Sequence, residues 1–382
     1  MKVPFMDLHR QYVALKPELD RAIQSVIETS EFIGGQEKAR FERAFAEACR
    51  VNHCIGVGNG TDAIFLALKA LGIGPRDEVV VPAMSFIASA EAISAAGATP
   101  VFVDIDPKTY LMDLQKTRDL LSRRAHTRGG RIRALMPVHL YGRINPMTEI
   151  MALAREYDLF VVEDVAQAHL AEWGGRRAGS FGQISTFSFY PGKTLGAFGD
   201  AGAIVTDDAV LADRSRKLAN HGRVQKYDHD IEGFNSRLDG LQAAVLNVKL
   251  PHLPAWSEAR RTLARRYDAK LSGLRDRCRL PEIPNGNEHV FHLYVIRVPD
   301  RARVQAELAE KGVQTAVHYP IALPNLKAYE RFGHGPADFP VATQCQNEVL
   351  SLPFFPEMTN EEQDYVAEAL GAVLQVREGL SL

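Results

Sequence analysis

A lysine amine, a carboxylate, a turn of small residues and an aromatic ring each stand just beyond an apolar run of this sequence. Ser188-Phe189-Tyr190-Pro191-Gly192-Lys193 follows such a run and leads into Thr194-Leu195-Gly196-Ala197-Phe198-Gly199-Asp200. A lysine on glycine-rich backbone at the rim of a sheet has room for a planar cofactor beside it, and its neutral amine is a nucleophile. In Val161-Val162-Glu163-Asp164-Val165-Ala166-Gln167-Ala168-His169 the carboxylate of Asp164 ends a buried strand. An acid there can keep a heterocyclic nitrogen protonated, as an electron-sink cofactor requires. Gly58-Asn59-Gly60-Thr61-Asp62-Ala63 joins a strand to a helix, whose first N–H groups can cradle a phosphate, and Ser188 can add a hydroxyl. Phe86, in Pro82-Ala83-Met84-Ser85-Phe86, can stack on a flat ring. Taken singly, each has a plainer reading: an exposed lysine, a helix cap, a capped turn, a core phenylalanine.

The elements that must position these residues follow from periodicity. Short apolar runs alternate with longer amphipathic ones from Leu15 to about Leu250, as strands covered by helices do. The runs predict strands over His53–Val57, Glu78–Val81, Thr99–Val103, Ile132–Pro137, Phe160–Glu163, Ile184–Phe189 and Ala203–Thr206. Helices are expected over Thr61–Leu71, Ala88–Ala96, Met147–Glu156 and Asp208–Asn220. Nearly continuous apolar strands suit a mainly parallel sheet buried on both faces, with its ligand site beyond the carboxyl ends of the strands. This α/β unit spans residues 15–250. A smaller α+β unit, 251–382, is expected after a helical stretch Asp239–Leu274 broken by Pro251 and Pro254. It contains a strand Phe291–Val298 and the turn-rich connection Pro281–Gly286, and residues 1–14 pack with it.

Composition narrows the function classes. The 382 residues are 46% hydrophobic with a formal net charge of −2, which argues against a nucleic-acid or anionic-membrane surface. The start lacks a signal pattern and no apolar stretch nears the roughly 20 residues of a membrane span, so a cytoplasmic location is expected. Cys49, Cys54, Cys278 and Cys345 are too far apart for a metal knuckle and too few for a disulfide framework, and no HExxH occurs. They read as buried thiols, and no catalytic metal is expected.

The four motifs, in this order, resemble the DegT family of sugar aminotransferases, a branch of the fold-type-I pyridoxal-phosphate enzymes. The resemblance runs from Val3-Pro4-Phe5-Met6-Asp7-Leu8 through Gly72–Val79 and Phe102–Pro107. It is most specific over Glu163–His169, Ser188–Asp200 and Gly233-Phe234-Asn235-Ser236-Arg237-Leu238-Asp239. It implies that Lys193 holds pyridoxal phosphate as a Schiff base, that Asp164 pairs with the ring nitrogen, that Phe86 stacks on the ring and that Gln167 lies near its hydroxyl. Gly60, Thr61, Asp62 and Ser188 would bind the phosphate, completed by Asn235 of a neighbouring subunit in a homodimer with shared sites. Gln167 replaces a histidine common in the family, and Gly199-Asp200-Ala201-Gly202 replaces Gly-Asp-Gly-Gly, so that turn is expected to differ slightly in shape.

The resemblance also implies transamination from L-glutamate to a keto sugar nucleotide. The branch it points to aminates C3 of dTDP- or UDP-linked 3-keto-6-deoxy sugars. The segments that suggest this are His139-Leu140-Tyr141-Gly142, Leu241-Gln242-Ala243-Ala244 and Val317-His318-Tyr319-Pro320. Tyr190, Lys226, His318 and Tyr319 would contact the sugar nucleotide, with Lys226 suited to the diphosphate as a point charge. Amination at C4 is the alternative within the family. Its dehydratases resemble this chain less, because they carry histidine where Lys193 stands. A regulator without catalysis would not need Lys193, Asp164 and a phosphate cradle together. The polar run before Asp230 has too little apolar content to pack as core, so it is expected to project toward a partner.

Overall fold

The structure is a computed structural model that describes residues 1–124 and 131–375. Its apolar runs pair into one seven-stranded sheet. The strands are β1 (His53–Val57), β2 (Asp77–Pro82), β3 (Thr99–Val103), β4 (Arg131–Leu135), β5 (Phe160–Asp164), β6 (Ile184–Ser188) and β7 (Gly202–Thr206). Their spatial order is β1-β7-β6-β5-β4-β2-β3. Every neighbouring pair is parallel except those of β7, which runs antiparallel to both β1 and β6. The mainly parallel sheet is as expected, and the reversed strand is what a burial pattern cannot reveal.

Alternation along each strand sends successive side chains to opposite faces. In β2, Val79 and Val81 join one core cluster and Val80 the other. The first face is covered by α3 (Gly60–Ala70), α4 (Ala88–Ala95) and α7 (Ala209–Ala219), and the second by α2 (Gly35–Cys49), α5 (Leu114–Arg124) and α6 (Met147–Glu156). The predicted strands and helices in this region match the observed ones to within two residues at each end. The helices α1 (Leu8–Thr29), which contains Pro17, and α2 have no counterpart among the sequence expectations.

The helical stretch Asp239–Leu274 divides into α8 (Gly240–Lys249), a 3₁₀ turn Leu250–His252 and α9 (Leu253–Leu271). Pro251 lacks the N–H that would continue the first helix. A third apolar cluster gathers α9, β10 (Tyr294–Arg297), α10 (Arg301–Glu310), β11 (Val349–Leu352) and α12 (Asn360–Gln375), while α11 (Pro340–Glu348) joins the first cluster through Ala342 and Cys345. Two short strands, β8 (Arg223–Gln225) and β9 (Asp228–His229), precede these elements as an exposed hairpin. The strand expected over Phe291–Val298 is shorter, and β10 pairs antiparallel with β11. Val3 joins this cluster: its N–H donates to Gly312 O (2.9 Å) and its carbonyl accepts from Gln314 N (3.0 Å). Residues 376–382 of the expected second unit lie outside the described residues. All four cysteines are buried and none is in a disulfide. Among the described residues no helix is long and apolar enough to cross a membrane.

Candidate active site

The carboxyl ends of the central strands open into a cavity of about 620 Å³, and Lys193 is in its wall. Beyond β6 the chain turns back, with Phe189 N–H donating to Ala201 O and Lys193 N–H to Tyr190 O, both at 2.8 Å. The Lys193 amine makes no hydrogen bond or ion pair among the described residues. Burial pulls its pKa down to about 8, against the opposing pull of the Asp164 charge. Neighbouring imidazoles do not compete for its proton. His169 is pushed down to about 3 by burial and then by the Lys193 charge, and His318 to about 4 for the same two reasons.

Asp164 ends β5 and is nearly fully buried at the cavity. Its Oδ2 accepts from Ser89 Oγ (2.8 Å) and its Oδ1 from Ala166 N (3.1 Å). Ser89 is in turn bonded to Ser85 (Oγ to Oγ, 2.7 Å). No α-helix starts after Asp164, so it is not a helix cap. Its neighbour Glu163 points to the other face of the sheet, as strand alternation requires. There it accepts from Gly179 N (2.9 Å), Phe181 N and Gly182 N (2.8 Å each) and Ser185 Oγ (3.1 Å), with His139 Nε2 at 3.1 Å. Burial alone would raise the Glu163 pKa, but His139 and these backbone donors outweigh it and hold the group below the usual carboxylate range.

The first N–H groups of a helix have no partner inside it. At α3 the Asn59 side chain caps Asp62 N (2.8 Å), and Gly60 and Thr61 are left at the cavity wall beside Ser188. Glycine is required at 60 because a Cβ would come within 2.6 Å of Ser188 Cβ. It is required at 202 because a Cβ there would lie 2.4 Å from the backbone of Asn59. Ala201, by contrast, has no positive φ and buries its methyl group. The departure from Gly-Asp-Gly-Gly therefore falls where alanine is tolerated.

Phe86, Gln167, Tyr190, His318 and Tyr319 line the same cavity. The rings of Phe86 and Tyr319 are 5.6 Å apart, and Gln167 donates to Tyr319 Oη at 3.0 Å. His318 stacks on Phe5 at 5.8 Å, with its Nδ1 2.8 Å from Ser351 Oγ.

Three of the residues singled out are not in this cavity. The Asp62 carboxylate accepts from Ser236 Oγ (2.7 Å) and, as an anion with no proton to donate, does not suit a phosphate, while the Asp62 N–H is bonded to Asn59 Oδ1 (2.8 Å). Asn235 is exposed beside Asn220, and Lys226 sits in the β8–β9 hairpin with its ammonium 5.4 Å from the Tyr227 ring. Sequence reasoning missed Asn59, Ser85, Ser89, Phe5, Met6 and His292, all of which line the cavity. Only Asn59, the polar residue ahead of a helix, carried a local signal.

Residues 14–371 match the model of the DegT/DnrJ/EryC1/StrS aminotransferase family. The chain is 43% identical to the pleiotropic regulatory protein of Geobacillus stearothermophilus, over 97% of this chain and 98% of that one. It is 42% identical to the dTDP-3-amino-3,4,6-trideoxy-alpha-D-glucose transaminase of Streptomyces venezuelae, over 97% and 95%. The crystal structure of NtdA from Bacillus subtilis with bound cofactor PMP superimposes with a TM-score of 0.89 at 35% identity, over 98% of this chain and 85% of that one. On the length and strength of these matches, the chain belongs to the DegT/DnrJ/EryC1/StrS aminotransferase family.

Proposed function

We propose that this protein transfers an amino group from L-glutamate to a nucleotide-linked keto sugar, at C3 of a dTDP- or UDP-linked 3-keto-6-deoxy sugar, with pyridoxal phosphate as cofactor. The observation that carries the reading is the cavity shared by an amine of lowered pKa, Lys193, and a buried carboxylate, Asp164. The donor set fits the cofactor: the N–H groups of Gly60 and Thr61, which have no partner among the described residues, suit a phosphate with the Ser188 hydroxyl, Asp164 suits a basic ring nitrogen, and Phe86 offers a ring face. Pyridoxal phosphate, when bound, supplies an electron sink for breaking bonds at the carbon that carries the amine. Asp164 holds the proton on the ring nitrogen, and Ser89 and Ala166 N–H keep that carboxylate oriented. Lys193 is the base of this site, because burial lowers its amine to about 8 and leaves roughly a tenth of it unprotonated at pH 7, far more than of a surface lysine. Tyr190, His318 and Tyr319 face the substrate.

The working unit in this reading is a homodimer, in which Asn235 and Lys226 serve the partner's cavity. Their exposure, and the fact that neither lines the cavity of its own chain, support that. We assign residues 15–250 to the cofactor-binding unit and 251–382 to the smaller one, and place the protein in the cytoplasm, where glutamate and nucleotide sugars meet. The name of the Geobacillus relative points to regulation, but a regulator has no use for an amine and a carboxylate poised this way. The test is turnover. Protein loaded with pyridoxal phosphate is mixed with L-glutamate and a dTDP-linked 3-keto-6-deoxyhexose, and the products are read by mass spectrometry. Formation of 2-oxoglutarate with a 3-amino sugar nucleotide is expected; absence of both, with 4-keto and UDP-linked substrates also inert, would overturn the reading.

A further inference from the structure

The side-chain amide of Gln167 bridges two walls of the cavity. Its Oε1 accepts the backbone N–H of Tyr141 at 2.7 Å, and its Nε2 is 3.0 Å from the phenol oxygen of Tyr319. A backbone N–H can only donate, so the oxygen end of the amide must face Tyr141 and the NH₂ end must face Tyr319. The phenol oxygen is therefore an acceptor toward Gln167. Its own proton goes to no protein group among the described residues. Burial pushes the phenol pKa up, so the proton stays on at working pH. The ring is steadied by Phe86 and lines the same cavity as Lys193.

We propose that Gln167 is a positioning residue that fixes the hydrogen-bond polarity of Tyr319, turning the phenol into a donor for an acceptor oxygen of the sugar nucleotide. This rests on the sugar-nucleotide reading above and deepens it. The groups of such a substrate that can only accept include its keto oxygen, its diphosphate oxygens, its ring oxygens and the carbonyls of its base, whereas an ammonium group cannot accept at all. The Tyr319 corner therefore favours one of those oxygens and disfavours the amino end of a ligand.

The test uses cofactor-loaded protein and the non-reacting probes dTDP-glucose and dTDP, with binding followed by calorimetry. Tyr319→Phe removes the donor and should weaken dTDP-glucose about 3- to 10-fold, the usual value of one such bond. Gln167→Glu keeps the size but takes the phenol proton for itself, so it should weaken binding by a similar factor. The double variant should bind no more weakly than Tyr319→Phe alone. Gln167→His, whose ring can accept from Tyr141 through one nitrogen and donate from the other, should recover affinity relative to Gln167→Glu. A matching loss for dTDP puts the oxygen on the nucleoside diphosphate; a loss for dTDP-glucose alone puts it on the sugar. Tyr319→Phe binding as tightly as the unaltered protein, or losses that add in the double variant, would overturn the inference. Unaltered protein that bound neither dTDP-glucose nor UDP-N-acetylglucosamine would instead remove the sugar-nucleotide reading, and this inference with it.

Discussion

Lys193 and Asp164 act on each other across the cavity they share, and the sign of that action is measurable. Burial lowers the amine to about 8 and the Asp164 charge props it up. At pH 8 its neutral fraction therefore exceeds that of a surface lysine by about 100-fold or more. Competitive acetylation of cofactor-free protein, read on the Lys193 peptide, should show a midpoint near 8. In Asp164→Asn the midpoint should fall further, because the propping charge is gone; a midpoint that rose would contradict the assignment. The same substitution in loaded protein should slow the glutamate-dependent half-reaction by about 100-fold or more with cofactor retained, since a preorganised charge is lost from a buried site. Near-normal rates would make Asp164 a structural carboxylate only. At this scale the sequence showed Lys193, Asp164, Gly60, Thr61, Phe86 and Ser188 because each ends a strand, stands in the turn beyond one or opens a helix. Ser89 and His292 were illegible: what makes Ser89 notable is the Asp164 oxygen, which comes from a strand more than seventy residues away, and what makes His292 notable is a cavity wall built mostly by other segments.

The element that fixes the lysine loop is α8. From its first turn Gln242 Oε1 accepts Phe198 N–H at 2.9 Å, and from its last residue Lys249 donates to Gly196 O at 2.8 Å. The Lys249 ammonium is buried over the Phe198 ring at 4.6 Å, and burial lowers its pKa to about 8 despite the Glu357 charge. A buried cation bonded to one carbonyl is costly unless that carbonyl must be held. Both ends of the held loop, Lys193 and Asp200, line the cavity. A hydrogen bond to a charged group contributes about 1.5–3 kcal/mol, so Lys249→Met should make local opening of residues 194–200 about 10-fold or more easier. Hydrogen exchange would report this as faster uptake in that loop ahead of the rest of the molecule. Uniformly faster exchange would mean that Lys249 serves only global stability. Strand and helix positions were legible from apolar periodicity, and the break at Pro251 from its missing N–H. The antiparallel sense of β7 was not, because a strand buried on both faces reads the same in either direction. Nor was this clamp, whose two members are seven residues apart on a helix and meet a loop from before β7.

At the scale of the whole molecule, the features left over from one chain point toward a second. The β8–β9 hairpin is exposed throughout, with Tyr227 83% accessible, and Ile33 and Phe198 are about half exposed. Apolar side chains on a projecting segment suit burial against a partner. The projecting run was legible from its polarity, but its direction was not, because nothing along one chain specifies a surface on another. In the proposed homodimer a two-fold axis gives each subunit the same patch, so Asn235 and Lys226 of one would complete the cavity holding Lys193 of the other. Lys193→Ala subunits and Asn235→Ala/Lys226→Ala subunits should each be nearly inactive alone. Mixed under exchange, each heterodimer would carry one cavity with both defects and one with neither. An equal mixture puts half of all dimers in that state, so activity should return to roughly a quarter of that of the unaltered protein if exchange is random. The readout is turnover against the fraction of heterodimer, measured independently by differential tagging. Activity that did not rise with that fraction would show that each chain builds its site alone and that the hairpin serves another contact.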